Sequence, residues 1–220
     1  MASAIEPPAR IKICGLSTRE TLDAALALGV DWIGLVHFPR SPRHVEFARA
    51  AALSAQARGR AERVVLLVDP DDVLLGQAID AIDPDLIQLH GRETPERVTA
   101  IRALAGRPVM KALGLATSAD LAALPAYAAV ADRILLDAKA PPDAALPGGN
   151  GRSFDWAILA GTDLPPGTML SGGLDAGNVA EALIRTRLGA VDVSSGVETA
   201  PGVKDPQKIA TFVAAARGAR

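Results

Sequence analysis

The chain has 220 residues, 49% apolar and 22% charged, and its 23 basic and 25 acidic side chains give a formal net charge of −2. That balance lacks the clustered positive charge a phosphate backbone demands, so nucleic acid is not an expected partner. No run approaches the ~18 consecutive apolar residues of a membrane span, so no membrane partner is expected either.

Residues 1–10 carry Pro7 and Pro8 and no apolar h-region, and read as an N-terminal extension rather than a signal peptide. From residue 11 onward, short apolar runs alternate with Ala/Leu-rich helical stretches. The expected pairs are strand 11–14 with helix 18–28, strand 32–36 with helix 46–58, strand 64–68 with helix 71–82, and strand 86–89 with helix 95–104. The second half gives strand 109–112 with helix 119–127, strand 134–136 with a weak helical segment near 154–159, strand 168–170 with helix 177–186, and strand 191–193 with helix 206–217.

Strands alternating with helices argue for parallel pairing through crossovers, and strands buried on both faces read as apolar runs rather than strict alternation. Eight such units over residues 11–220 fit a single-domain α/β fold, the (βα)8 TIM barrel, with little room for insertions. An open doubly wound sheet fits less well, because the Gly-rich turn expected after its first strand is replaced by Cys14-Gly15-Leu16-Ser17-Thr18. Residues 138–153, rich in Pro and Gly, read as a long loop after strand six, the kind that often serves as a functional lid.

Alternate strand residues of a barrel point inward, and its chemistry sits at the C-terminal strand ends. Setting apolar partners outward turns Lys12 and Cys14, Gln88 and His90, Asp137, and Asp192 toward one interior. Buried charges are expensive unless paired, so Lys12 and Asp192, on strands that adjoin at closure, are either an ion pair or functional groups. Gln88 reads as a satisfied core amide or a site residue, and His90, at a strand end before Gly91, as either packing or site lining. Cys14 and Asp137 each end a strand, which favours function. As the only cysteine, Cys14 cannot form an internal disulfide, and the chain suits a reducing compartment, the cytoplasm.

Two segments resemble phosphate cradles: Ser171-Gly172-Gly173-Leu174-Asp175 after strand seven, and Ser194-Ser195-Gly196-Val197 after strand eight. Glycines let backbone N–H groups approach an anion, and barrels frequently hold a phosphate between these two loops. Together they imply a phosphorylated small-molecule ligand. In Phe38-Pro39-Arg40-Ser41-Pro42-Arg43, either arginine could clasp a carboxylate, or the segment is a solvated basic loop.

These pieces resemble the phosphoribosylanthranilate isomerases of tryptophan biosynthesis. The matching segments are Lys12-Ile13-Cys14-Gly15, residues 34–43, Gln88-Leu89-His90-Gly91, Leu135-Leu136-Asp137, residues 148–151 with Phe154-Asp155-Trp156, Ser171-Gly172-Gly173-Leu174, and residues 191–198. They occur in order across residues 11–213. The chain departs from the family at His37-Phe38, where two aromatics are common, and at Asn150, where threonine is common in the loop.

The resemblance implies an Amadori rearrangement of N-(5-phosphoribosyl)anthranilate to 1-(2-carboxyphenylamino)-1-deoxyribulose 5-phosphate. It implies Asp137 as general acid and Cys14 as general base. It assigns Arg43 to the anthranilate carboxylate, Gly172, Gly173, Ser195 and Gly196 to the phosphate, and Asp192 to substrate orientation. Gln88 and His90 join these as substrate-lining residues. No cofactor or metal is expected, since the protonated imine nitrogen is itself the electron sink. A free thiol is mostly protonated at neutral pH, so either the site lowers the Cys14 pKa, with Lys12 contributing, or substrate binding ionises it. A monomer or homodimer is expected. The rival readings are another sugar-phosphate isomerase or epimerase on the same barrel, and a non-catalytic barrel that binds a phosphorylated ligand.

Overall fold

A computed structural model describes residues 8–141, 148–149, 151 and 153–219. Eight parallel strands close into a barrel in sequence order: β1 (Arg10–Cys14), β2 (Trp32–Val36), β3 (Glu62–Leu67), β4 (Leu86–Leu89), β5 (Val109–Leu115), β6 (Arg133–Ala138), β7 (Met169–Leu170) and β8 (Ala190–Val193). Closure pairs β1 with β8 in a register that sets Lys12 beside Asp192. The helices are α1 (Arg19–Ala27), α2 (Phe47–Ala57), α3 (Asp72–Ile82), α4 (Pro95–Ala105), α5 (Leu124–Ala128), α6 (Val179–Thr186) and α7 (Pro206–Arg217). None of the described helices is long and apolar enough to cross a membrane.

Local chemistry fixes where the helices begin. The Thr18 hydroxyl accepts from the Thr21 N–H at 3.2 Å, and the Asp71 carboxylate from Leu74 at 2.7 Å. Asp205 caps α7 through the N–H groups of Gln207 and Lys208, ahead of Pro206, whose missing N–H costs nothing in a first turn. Each such cap stabilises its helix by about 1 kcal/mol.

Two expected helices differ. The fifth is split into a 3-10 segment, Ser118–Ala123, and the short α5, because Pro125 cannot donate to a preceding helical turn. Between β6 and β7, the described residues contain one helical segment, a 3-10 turn, Trp156–Leu159, capped by Asp155. Gly161, Pro165 and Pro166 leave no uninterrupted stretch for an α-helix. The loop expected over 138–153 lies partly outside the described residues, at 142–147, 150 and 152, and so does most of the expected N-terminal extension, at 1–7.

Strand alternation sorts the side chains into two cores. Ile11, Ile13, Ile33, Leu35, Ile87, Leu89, Ile134, Leu136, Val191 and Val193 face outward into the helix layer. Burying each such side chain fully contributes about 1.5–3 kcal/mol. Trp32, Val64, Leu86, Met110, Leu135 and Met169 fill the lower barrel interior. Arg10 covers the Trp32 ring at 3.9 Å, and the indole N–H donates to Glu62 at 2.7 Å, which seals the floor. The upper interior holds Cys14, Val36 and Leu66 instead.

An element absent from the sequence-based expectation follows β8. A 3-10 turn, Ser195–Val197, leads into an antiparallel hairpin of β9 (Glu198–Ala200) and β10 (Val203–Lys204). Gly202, at φ +83°, makes its turn, a conformation disfavoured for side chains bearing a Cβ.

Candidate active site

The C-terminal strand ends open onto a cleft of about 780 Å³, counted out to its mouth. Cys14 from β1, Gln88 and His90 from β4 and the turn beyond it, Asp137 from β6, and Asp192 from β8 all line it. Arg43, Gly172, Gly173 and Ser195 join them from the loops. Gly196 is the one expected site residue not among the lining. There the Leu174 carbonyl passes so close that a Cβ would collide with it, so the glycine permits the loop after β8 to dock on the loop after β7.

Asp137 is tightly held. Its Oδ1 accepts the Ala138 N–H at 2.8 Å, and its Oδ2 lies 3.1 Å from His90 Nε2. The Gln88 amide nitrogen, a donor, lies 3.0 Å from His90 Nδ1, so His90 presents its Nε2–H to Asp137. Gln88 Oε1 is buried and finds no donor among the described residues.

Lys12 and Asp192 form the expected ion pair, 2.9 Å apart and buried. The second carboxylate oxygen of Asp192 accepts from the Ser171 hydroxyl at 3.3 Å. Gly34, on the neighbouring strand, makes room for this group: a Cβ there would sit 3.0 Å from Cys14 Sγ and 3.1 Å from Lys12 Nζ. Burial alone would push the Lys12 ammonium down, but Asp192 and Cys14 outweigh it, and the pKa lies above its ordinary value.

Burial pushes the Cys14 thiol up. Lys12 opposes the rise, Asp192 adds to it, and Lys204 opposes it more weakly. Lys12 therefore acts in the expected direction, but burial prevails: the free site does not lower the Cys14 pKa.

Arg43 settles the question left open by the loop after β2. Arg40 is exposed, whereas Arg43 is buried at 5% exposure and is no solvated loop cation. Its Nε and Nη2 make a bidentate pair with Glu198 of β9, both contacts at 2.8 Å. Lys204 of β10 reaches the same carboxylate at 2.6 Å. Burial works to raise the Glu198 pKa, but the hydrogen bonds from Arg43 and Lys204 prevail and hold it below the usual carboxylate value. Glu198 lay inside a matching motif without an assigned role, and Lys204 stood outside every motif. The Pro201-Gly202 pair was the one sequence signal for the hairpin that carries them.

Gly172 (φ +89°) and Gly173 (φ +62°) turn the chain after β7 and line the same cleft as Ser194 and Ser195 from the end of β8. A Cβ on Gly172 would lie 2.5 Å from the Ala138 nitrogen. His37 is buried away from this chemistry, stacked on Phe47 at 3.9 Å with Nδ1 3.0 Å from the Val45 carbonyl, and serves the packing role of an aromatic.

A closed (βα)8 barrel that gathers a thiol, a carboxylic acid, a buried guanidinium and paired glycine-rich turns at one mouth defines an acid–base enzyme for a phosphorylated small molecule. The family model for N-(5'-phosphoribosyl)anthranilate isomerase matches residues 11–215. The chain belongs to this family. It is 65% identical to the N-(5'-phosphoribosyl)anthranilate isomerase of Azorhizobium caulinodans over 95% of this chain and 92% of that one. Among solved structures, phosphoribosyl anthranilate isomerase from Thermotoga maritima superposes with a TM-score of 0.85 at 32% identity, over 96% of this chain and 99% of that one. A phosphoribosyl anthranilate isomerase in complex with reduced 1-(o-carboxyphenylamino)-1-deoxyribulose 5-phosphate gives 0.83 at 30% identity, with the same coverage of both chains.

Proposed function

We propose that this enzyme converts N-(5-phosphoribosyl)anthranilate to 1-(2-carboxyphenylamino)-1-deoxyribulose 5-phosphate, a step of tryptophan biosynthesis, with Asp137 as general acid and Cys14 as general base. The observation that carries the reading is the convergence of Cys14 and Asp137 on one cleft, with Arg43 and the Gly172-Gly173 turn among its walls.

Asp137 protonates the ribose ring oxygen, the C1–O bond breaks, and the anilino nitrogen supplies the electron pair that forms the imine. The protonated imine then acidifies the C2 hydrogen. The Cys14 thiolate takes that proton, and the C–H electrons flow to the imine nitrogen to give an enolamine. The enolamine tautomerises to the ketone, and the two side chains exchange a proton with solvent to reset. Burial raises the Cys14 thiol and Lys12 opposes the rise, so substrate binding is the step assigned to promote its ionisation, with Lys12 as the stabilising cation. Arg43 holds the anthranilate carboxylate, and Gly172, Gly173 and Ser195 receive the phosphate, with Gly196 letting the loop that carries Ser195 dock beside Leu174. Gln88 holds His90, which faces the substrate beside Asp137, and Asp192, through Lys12 and Ser171, fixes the floor on which the ribose chain lies. The single cysteine suits a cytoplasmic location.

The direct test supplies freshly made phosphoribosylanthranilate and follows the loss of anthranilate fluorescence. Turnover by the wild type, abolished in Cys14→Ala, is expected. Wild-type protein without turnover would overturn the reading.

A further inference from the structure

The hairpin after β8 places a second carboxylate at the rim of the cleft, and its contacts are unusual. Glu198 Oε1 accepts from Arg43 Nε at 2.8 Å and from Lys204 Nζ at 2.6 Å. Its Oε2 accepts from Arg43 Nη2 at 2.8 Å and from the Gly202 N–H at 3.3 Å. Four donors saturate one carboxylate, and all three charged side chains are at most 6% exposed. Two basic side chains meet one carboxylate, although burial lowers the Lys204 pKa below its ordinary value, and the Arg43 end of the cluster faces the cleft.

The orientation of Arg43 follows from these contacts. The guanidinium spends Nε and Nη2 on Glu198, and Nη2 also donates to the Gly149 carbonyl at 3.3 Å. Nη1 has no acceptor among the described residues. The stem lies against Gly15, where a Cβ would sit 2.7 Å from Arg43 Cδ. With Nε and Nη2 spent, Nη1 is left to meet a ligand, and the grip on the planar group fixes its direction, which a flexible side chain in water does not do. Lys204 supplies what a simple Arg–Glu pair lacks. It adds a further donor to the carboxylate that grips Arg43, and so fixes Glu198 as Glu198 fixes Arg43.

We propose that Glu198, held by Lys204, is a positioning residue that aims Arg43 at the ortho-carboxylate of the substrate's aromatic amine, so that the β9–β10 hairpin sets selectivity for a carboxylated ring. This rests on the reading that Arg43 binds that carboxylate. It adds an element that touches no reacting atom but decides which amine is accepted.

The test measures dissociation constants of two stable ligands on the full chain. One is the reduced product analogue bearing the ortho-carboxylate; the other is its phenylamino counterpart without it. Hydrogen bonds to charged groups predict a wild-type preference for the carboxylated ligand of about 10–100-fold. Glu198→Gln should erase most of that preference while leaving the affinity for the uncarboxylated ligand nearly unchanged. Glu198→Asp, which keeps the charge but draws the carboxylate back from Arg43 and leaves Lys204 on Ser194, should weaken the preference in the same way and covers the case in which Glu198→Gln does not fold. A preference retained in the folded variants, or an equal loss for both ligands, would overturn the inference while leaving the role of Arg43 intact. A wild type that binds both ligands alike would overturn the role of Arg43 and the inference with it.

Discussion

Lys12 Nζ and Asp192 Oδ1 meet at 2.9 Å across the seam between the first and last strands, with neither side chain more than 6% exposed. The pair closes the barrel and also sets the charge around Cys14. Removing one partner strands the other in a low-dielectric interior. Lys12→Met is therefore expected to lose about 3–5 kcal/mol of stability, and Lys12→Met/Asp192→Asn to regain a large part of it. Chemical denaturation checks this, and a single variant nearly as stable as the wild type would remove the pair from the stability of the closure.

Because burial outweighs Lys12 at the thiol, the free protein should react with alkylating agents along a pH curve whose midpoint lies above the ordinary thiol value. The neutral thiol is the favoured form below that midpoint, so reactivity climbs only as pH rises through it. Saturation with a product analogue should shift the curve if ligand binding promotes ionisation. A midpoint below the ordinary value in the free protein would contradict the burial argument.

General acid and base groups each typically contribute ~10²–10⁴ in rate. Cys14→Ala and Asp137→Asn are each expected to lower kcat by at least ~10² while the circular dichroism spectrum stays native. Asn keeps the shape of Asp137 and its hydrogen bond from Ala138, while it removes the acidic proton and the second acceptor that faces His90. A variant retaining kcat within a few-fold of wild type would lose its assigned role.

Gly172 combines a left-handed backbone with a close approach to the strand that carries Asp137. Gly172→Ala should cost about 1–3 kcal/mol in strain. It should also weaken phosphorylated ligands more than their unphosphorylated counterparts, because the turn that offers its N–H groups must shift. Calorimetric titration of both ligand types checks this; an equal effect on the two would argue against a phosphate role for the turn.

The barrel was largely legible because parallel strands buried on both faces leave a plain signature, the apolar runs between helices. The ends of α3 and α7 were legible for the same kind of local reason: Asp71 and Asp205 are capping residues in sequence as much as in space. The split fifth helix was not anticipated, although Pro125 was visible, because the Ala/Leu-rich pattern around it spoke for a continuous helix. Lys12 and Asp192 could be recognised as possible partners from strand adjacency alone. Arg40 and Arg43 could not be told apart, since both follow prolines in the same loop and only burial separates them.

By itself, the sequence determined the order of the eight barrel strands, the inward face of the strands that carry the site, and the chemical types gathered at the strand ends: a thiol, a carboxylic acid, an arginine and two glycine turns. Those follow from periodicity and from local backbone limits, which act over a few residues. Tertiary structure decided the rest. It chose Arg43 over Arg40, joined it to Glu198 across 155 positions of chain, placed Lys204 behind that pair, and raised rather than lowered the Cys14 thiol. Each of these is the balance of burial against charges brought close by closure of the barrel, and no local pattern records that balance.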